Sequence, residues 1–293
     1  MKGMIPMSTR EHRIYNPARE CMSRDELSAL QSARLVETVK REYENVPMYR
    51  ERMREKCLEP GDIRGIEDLK YLPFTQKTDL RDYYPFQLLA SPKSEIVRIQ
   101  GSSGTTGKPI VAGYTRNDVD VWSEMMARTL TAAGCTNEDI VQVAYGLGLF
   151  TGGFGAYQGA DRVGAMVVPM SSGNTQRQIM MMKDLGVTLL CCTPSYATYL
   201  GETIREMGLV PGKDIKLKAG CFGAEPWTEA MRARICSVRH SARLRAPTPA
   251  GSSDCSSRSA SVKRWMMACS CSSSSSSPSS SSVAASCAME SSR

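Results

Sequence analysis

Histidine is scarce in this chain of 293 residues, and its scarcity excludes two classes of site. The two histidines, His12 and His240, lie near opposite ends of the sequence. A Ser-His-Asp hydrolase needs a histidine beside its nucleophile, and a histidine-rich metal centre needs several close together. We therefore expect neither kind of site.

Long apolar runs and C-x-x-C cysteine pairs are also missing. No apolar run reaches the roughly 18 residues of a membrane span, and residues 1–17 contain no apolar segment typical of a secretory signal. The eleven cysteines include no C-x-x-C pair. We expect a cytoplasmic protein with no membrane partner, whose cysteines are thiols in the core.

The positive charge is unevenly distributed. The net charge is +7, but much of it lies in residues 236–293, where 22 of the 58 residues are serine. The rest of the chain is nearly balanced and gives no argument for a nucleic-acid partner. A serine-rich stretch cannot bury enough apolar surface to offset the entropy of ordering it, so we expect a disordered tail.

The sequence before this tail alternates between helix and strand patterns. Ser23 and Glu26 form the pattern of a capping box, which opens a helix to about Glu44. Further helices are predicted at 47–57, 117–133, 155–163, 175–185, 195–207 and 228–235, and strands at 96–100, 140–144, 166–169, 187–192 and 216–222. This alternation predicts an α/β fold with a parallel sheet and flanking helices, in which ligands bind at the carboxyl ends of strands.

The most informative segment follows the first predicted strand. It is the heptapeptide Ser102, Ser103, Gly104, Thr105, Thr106, Gly107 and Lys108. Glycines let the backbone approach a ligand, successive N–H groups bind anions, and hydroxyls and a lysine donate to phosphate oxygens. The spacing is not that of the common P-loop, and a flexible surface turn is the alternative.

Two other glycine-containing segments also follow predicted strands. Tyr145–Gly153 combines aromatic side chains with glycines, as a slot for a flat apolar ligand would; ordinary core aromatics are the alternative. Gly223–Trp227 contains Glu225, which would orient a ligand or lie in solvent at a helix entry. Gly153–Gly159 fits G-x-G-x-x-x-G, a weak indication of an NADP-dependent oxidoreductase, because no acidic residue follows the next strand.

Four segments together resemble a known family. The heptapeptide resembles the phosphate loop of adenylate-forming (AMP-dependent) synthetases and ligases. With Ala144–Gly153, Thr193–Tyr196 and Phe222–Trp227, it resembles phenylacetate–CoA ligases in order and spacing. The segment 71–80 is similar to the one that precedes the loop in that family. The resemblance covers about residues 15–235, and implies the N-terminal part of the large domain of such an enzyme.

The resemblance implies an acid–thiol ligase of phenylacetate catabolism. ATP, Mg²⁺ and CoA are the implied co-substrates, with an aryl acetate activated as an acyl-adenylate before thioester formation. The heptapeptide is expected to bind phosphate, and Tyr145 and Phe150 to border the aryl ring. The expected nucleotide-binding turn is Gly223, Ala224, Glu225 and Pro226. A homodimer is left open, and which aryl acid is bound cannot be read.

The resemblance stops near Ile235. The Tyr-Gly-x-Ser/Thr-Glu motif of the family, whose Glu is associated with Mg²⁺, is missing from the sequence, as are the later ribose-binding Asp and catalytic Lys. We expect an N-terminal helical segment at 1–95, an incomplete α/β core at 96–235 and a tail at 236–293 that is a frameshift product. A genuine tail on a shortened protein is the alternative. We expect a truncated, inactive chain, or a catalytically dead fragment that binds nucleotide or aryl acid.

Overall fold

The computed structural model describes residues 14–102 and 110–236. The α-helices in these ranges are α1 (Pro17–Glu20), α2 (Arg24–Asn45), α3 (Pro47–Glu55), α4 (Asp79–Asp82), α5 (Arg116–Ala132), α6 (Thr151–Val163), α7 (Thr175–Asp184), α8 (Pro194–Glu206) and α9 (Glu229–Cys236). The strands are β1 (Ile96–Gly101), β2 (Val111–Thr115), β3 (Ile140–Val143), β4 (Met166–Val168), β5 (Leu189–Cys192) and β6 (Ala219–Phe222). Short 3-10 helices lie at Pro60–Asp62, Ile66–Tyr71 and Lys93–Glu95. The predicted tail from residue 237 and most of the heptapeptide, at 103–108, lie outside the described residues.

The chain divides into two compact units. The sheet unit comprises residues 14–20, 123–147 and 152–236 among those described. The ribbon unit comprises residues 21–102, 110–122 and 148–151.

The sheet unit contains a four-stranded parallel sheet in the order β4-β3-β5-β6. Its register aligns Val141 with Leu189, and Leu189 with Ala219. Each pair of consecutive strands is joined by a helix, as a parallel connection requires. The predicted α/β fold with a parallel sheet and flanking helices is confirmed.

Side chains alternate between two cores on the faces of this sheet. Val141 and Val143 pack with Leu130 of α5 and Ala160 of α6. Residues of opposite parity, such as Leu190 and Cys192, join apolar side chains of α7, α8 and α9, namely Ile179, Met182, Leu200, Ile204 and Ile235. A parallel sheet covered on both faces has this pattern because neither face meets water.

The ribbon unit has its own core and its own strand pair. Leu35 and Val39 of α2 pack with Met53 of α3 and with Ile63 and Leu72. The predicted capping box starts α2: the Glu26 N–H donates to Ser23 Oγ at 3.2 Å, and the Ser23 N–H donates to Glu26 Oε2 at 2.7 Å. Both terminal bonds satisfy helix N–H groups that would otherwise lack partners.

The first predicted strand does not join the parallel sheet. β1 pairs antiparallel with β2, a strand that the sequence pattern did not predict, and Gln100 lies opposite Ala112. The heptapeptide follows a strand, as predicted, but that strand belongs to an antiparallel pair and not to the parallel sheet. β1 and β2 pair antiparallel because the segment between them is short. A parallel crossover needs about a dozen residues or more, whereas a short loop closes an antiparallel hairpin.

Among the described residues, no helix is both long enough and apolar enough to cross a membrane.

Candidate functional site

Polar groups gather at the carboxyl edge of the parallel sheet, where ligands bind in open α/β sheets. Four of these groups are Tyr145 after β3, Ser171 after β4, Ser195 after β5 and Glu225 after β6. All belong to the sheet unit. The sequence placed two of them, Tyr145 and Glu225, at a candidate site.

Tyr145 links the ends of two strands. Its hydroxyl oxygen accepts the Gly223 N–H at 2.9 Å. Burial raises the pKa of Tyr145 well above its usual value, so the phenol is neutral and retains a proton to donate. Tyr145, which is predicted to border the aryl ring, is thus hydrogen-bonded to the turn that is predicted to bind nucleotide.

Glu225 is held by a residue that follows the neighbouring strand β5. Its carboxylate accepts the backbone N–H of Ser195, near the N-terminus of α8. Thr193 caps this helix by accepting the Tyr196 N–H at 3.4 Å. A carboxylate is favoured here by the free N–H groups and the dipole of a helix N-terminus. Glu225 is therefore engaged in the protein rather than merely solvated.

The turn after β6 has an unusual backbone. Ala224 has φ 73°, in the left-handed region that non-glycine residues rarely adopt. Its neighbours Gly223 and Glu225 make the two hydrogen bonds just described. These bonds fix a turn that the local sequence alone does not favour.

The loop after β4 is anchored by buried glutamines that the sequence analysis missed. Gln178 Nε2 donates to Ser171 O at 2.7 Å, and Gln142 Nε2 donates to Gln178 Oε1 at 2.6 Å. Both glutamines are fully buried. Ser171 Oγ in turn accepts the Leu147 N–H at 3.1 Å. The only signal in the sequence was a polar residue, Gln142, within an otherwise apolar strand.

Ser102 is the first residue of the heptapeptide and the one that the structure describes. The Ser102 N–H donates to Ile110 O at 3.0 Å, and the Ile110 N–H donates to Ser102 Oγ at 3.1 Å. Ser102 thus closes the stem of the hairpin, and its exposed hydroxyl still carries a proton to donate. Ser103 to Lys108, the other predicted phosphate ligands, lie outside the described residues.

Phe150 lies in the ribbon unit, on a segment bonded to β1. The Gly101 N–H donates to Leu149 O at 2.7 Å. Phe150 is 56% exposed. Phe150 is therefore not a core aromatic, which was the alternative interpretation.

The glycines of the G-x-G-x-x-x-G pattern lie inside α6 rather than in a loop. Gly153, Gly155 and Gly159 are buried. A Cβ at Gly159 would lie 2.5 Å from Met126 Cβ, and one at Gly153 would lie 2.5 Å from Gly146 O. These glycines allow close packing against protein atoms, which accounts for the pattern without a dinucleotide.

Most of the described cysteines are core thiols, as expected. Cys135, Cys191, Cys192 and Cys221 are buried and free, and burial raises the pKa of Cys135 to about 12. Cys57 and Cys21 are exceptions, because Cys57 is an exposed free thiol and Cys21 is disulfide-bonded. Among the described residues, no group of three or more His, Cys, Asp or Glu side chains could hold a metal ion.

Comparison with known proteins identifies relatives of the chain. It is 48% identical over 222 residues to the phenylacetate-coenzyme A ligase of Thermus thermophilus, and 50% identical over 216 residues to that of Escherichia coli K12. These matches cover 76% and 74% of the chain. The chain is a homologue of phenylacetate-coenzyme A ligases. It spans 50% and 49% of the length of these two ligases, about half of each.

Solved structures of a 2-hydroxyisobutyryl-CoA ligase share the fold. A 2-hydroxyisobutyryl-CoA ligase in complex with 2-HIB-AMP and CoA, in the thioesterification state, matches with a TM-score of 0.72 and 30% identity, over 80% of this chain and 51% of that chain. An open conformation of the same ligase matches with a TM-score of 0.71 and 29% identity, over 80% and 56% of the two chains. No protein-family model matches the chain.

Proposed function

We propose that this chain binds ATP and an aryl acetate as part of a phenylacetate–CoA ligase. In the proposed reaction, the aryl carboxylate attacks the α-phosphorus of ATP to give an acyl-adenylate and pyrophosphate. The thiol of CoA then attacks the acyl carbon, forming the thioester and releasing AMP. The observation that carries this proposal is the 48–50% identity to phenylacetate-coenzyme A ligases across three quarters of the chain.

The heptapeptide Ser102–Lys108 is the proposed phosphate-binding segment. Its support is the closed stem, in which Ser102 and Ile110 exchange two hydrogen bonds and so fix both ends of the loop. A loop whose ends are fixed loses less entropy when its N–H groups meet an anion. Mg²⁺ would neutralise phosphate charge when bound; the described residues hold no ligand cluster for it, and no step here depends on it.

The turn from Gly223 to Pro226 is the proposed nucleotide-binding segment. Its support is its position at the carboxyl edge of the sheet and its two anchors, the Tyr145 hydroxyl and the Ser195 N–H. One oxygen of Glu225 accepts from Ser195, and the other is available to an amino group. Glu225 would therefore orient a ligand from a fixed position.

Tyr145 and Phe150 are the proposed contacts of the aryl ring. Tyr145 has an apolar ring and a hydroxyl engaged with Gly223. Phe150 presents an exposed ring that would lose water contact on binding an aryl acid. A homodimer and a cytoplasmic location stay part of the proposal.

Binding measurements on the 293-residue chain test the proposal. We expect the wild-type chain to bind ATP and phenylacetate in isothermal titration. Lys108→Ala should weaken ATP binding by about tenfold or more, since a charge-assisted hydrogen bond to phosphate contributes about 1.5–3 kcal/mol. Lys183→Ala, which removes an exposed lysine from α7, is the matched control and should bind ATP like the wild type.

The outcome separates this proposal from the oxidoreductase alternative. Equal ATP affinity in Lys108→Ala and wild type would reject the phosphate role of the heptapeptide. Tight binding of NADPH, with none of ATP, would reject the ligase proposal altogether. A panel of acids in the same titration would rank the aryl acetates, and a preference for a medium-chain fatty acid would reject the aryl assignment.

A further inference from the structure

A buried glutamine at the end of β1 contacts three consecutive backbone carbonyls. Gln100 is 2% exposed. With its amide oriented so that the nitrogen faces acceptors, Nε2 lies 2.6 Å from Leu149 O and 3.2 Å from both Gly148 O and Phe150 O. The next residue, Gly101, donates its N–H to the same Leu149 O at 2.7 Å. All these residues belong to the ribbon unit.

The side chains of this segment cannot explain how it is held. Leu149 and Phe150 are 57% and 56% exposed, so little apolar burial fixes their position. Two adjacent residues of β1 instead bind the backbone of 148–150. A primary amide suits this place, because its two N–H bonds serve several carbonyl oxygens, whereas an apolar side chain would remove this donor from all three.

We infer that Gln100 is a positioning residue, which fixes the segment 148–150, and with it Phe150, to the strand that leads into the heptapeptide. The inference rests on the proposed function for its ligand, an aryl acetate contacted by Phe150. Gln100 does not touch the ligand in this arrangement. It acts by restricting the backbone from which the aromatic ring projects, so that less entropy is lost on binding.

The first test measures the segment without any ligand. Hydrogen–deuterium exchange at the Gly101 N–H reports whether Leu149 O stays in place. We expect this proton to exchange at least about tenfold faster in Gln100→Leu than in the wild-type chain, because the segment opens more often when its amide donor is lost. Gln142→Leu is the matched control, since it removes another buried strand glutamine from the sheet unit and should leave Gly101 unchanged.

The second test measures phenylacetate binding as a function of pH. Gln100→Leu should weaken phenylacetate binding by about tenfold. Gln100→Glu keeps the shape, but an ionised carboxylate would face three carbonyl oxygens, so burial and these acceptors raise the pKa of the introduced carboxyl. As the pH falls from about 8 to 6, this carboxyl should gain a proton, donate a hydrogen bond and restore affinity. Gln100→Leu should show no such recovery, because it has no proton to gain.

The outcomes distinguish this inference from the proposed function. Unchanged Gly101 exchange in Gln100→Leu would overturn the inference whatever the chain binds. Equal phenylacetate affinity in wild type and Gln100→Leu would overturn it as well, while leaving the proposed function standing. Absence of both ATP and phenylacetate binding in the wild-type chain would overturn the proposed function, and with it the ligand that the inference requires.

Discussion

Asp139 joins the amino ends of the parallel strands, opposite the edge that carries the candidate site. Asp139 is 5% exposed. Its Oδ1 accepts Thr188 Oγ at 2.7 Å and Lys218 Nζ at 3.2 Å, and its Oδ2 accepts the Thr136 N–H at 2.9 Å. Thr188 and Lys218 immediately precede β5 and β6. One buried anion therefore holds the starts of three strands in register.

Replacing Asp139 should destabilise the chain. Asp139→Asn keeps the shape but turns an NH₂ group toward at least one donor, leaving buried polar groups unpaired. We expect a loss of about 1–3 kcal/mol in the free energy of unfolding, measured by urea denaturation. Asp184→Asn, at an exposed position ending α7, is the matched control and should change the free energy by less than about 0.5 kcal/mol. Equal effects of the two substitutions would contradict the role of Asp139.

The same residue predicts a pH dependence. Burial opposes ionisation of Asp139, but hydrogen bonds from Thr188, Thr136 and Lys218 outweigh it and hold the pKa below its usual value. A lowered carboxyl pKa stabilises the fold above the unfolded pKa of about 3.9, and this stabilisation is lost as the pH falls through the folded pKa. The difference in unfolding free energy between wild type and Asp139→Asn should thus be constant near neutrality and shrink in acid. A difference that grew in acid would show the opposite sign of the pKa shift.

At the scale of elements, glycines set the packing of α6 on α5 within the sheet unit. A Cβ at Gly159 would lie 2.5 Å from Met126 Cβ and 2.7 Å from the Met126 carbonyl carbon. The second contact is with backbone, which cannot rotate away as a flexible side chain does. The two helices would have to separate to accept even a methyl group.

Gly159→Ala should therefore destabilise the chain despite the better helix propensity of alanine. Alanine gains about 1 kcal/mol over glycine in a helix interior, but overpacking costs about 1–3 kcal/mol or more. We expect a lower thermal midpoint for Gly159→Ala. Gly61→Ala is the control, because nothing lies within 4 Å of the position that its methyl group would occupy, and its midpoint should change little. A midpoint for Gly159→Ala at or above that of the wild type would contradict the packing argument.

The chain spans about half the length of its curated relatives. Catalysis of a reaction requires groups that substrate binding alone does not require. The 293 residues contain no Tyr-Gly-x-Ser/Thr-Glu motif, and no tyrosine among them follows Tyr199. Binding a ground state does not accelerate a reaction; the rate depends on groups that stabilise the transition state. A chain that binds both substrates, as we propose, need not join them.

We expect the 293-residue chain to form no measurable phenylacetyl-CoA. The assay supplies ATP, Mg²⁺, CoA and phenylacetate and follows AMP release. A reaction without protein sets the background, and the full-length Escherichia coli phenylacetate-coenzyme A ligase shows that the conditions support turnover. Phenylacetyl-CoA formation by this chain above the background would show that the missing motifs are not essential.

Most local elements and the class of fold follow from short-range features of the sequence. Ser23 and Glu26 predicted the start of α2, because a capping box involves residues only three apart. The helices between β3, β4, β5 and β6 predicted parallel pairing, because such connections are long enough to cross the sheet. The heptapeptide and the segments similar to phenylacetate–CoA ligases indicated the family that the relatives support. The roles of the individual site residues stay predictions.

Contacts between residues far apart in the chain become visible only in the folded structure. The pattern of Ile96–Gly101 predicted a strand, but not its antiparallel partner β2, since pairing depends on contacts beyond the local sequence. Likewise, the sequence does not show that a glutamine within a strand is buried or which groups it contacts. In the fold, Gln100 faces the carbonyls of residues 148–150, and Gln142 donates to Gln178. Buried polar groups need partners, and the fold brings those partners from 36 or more residues away along the chain.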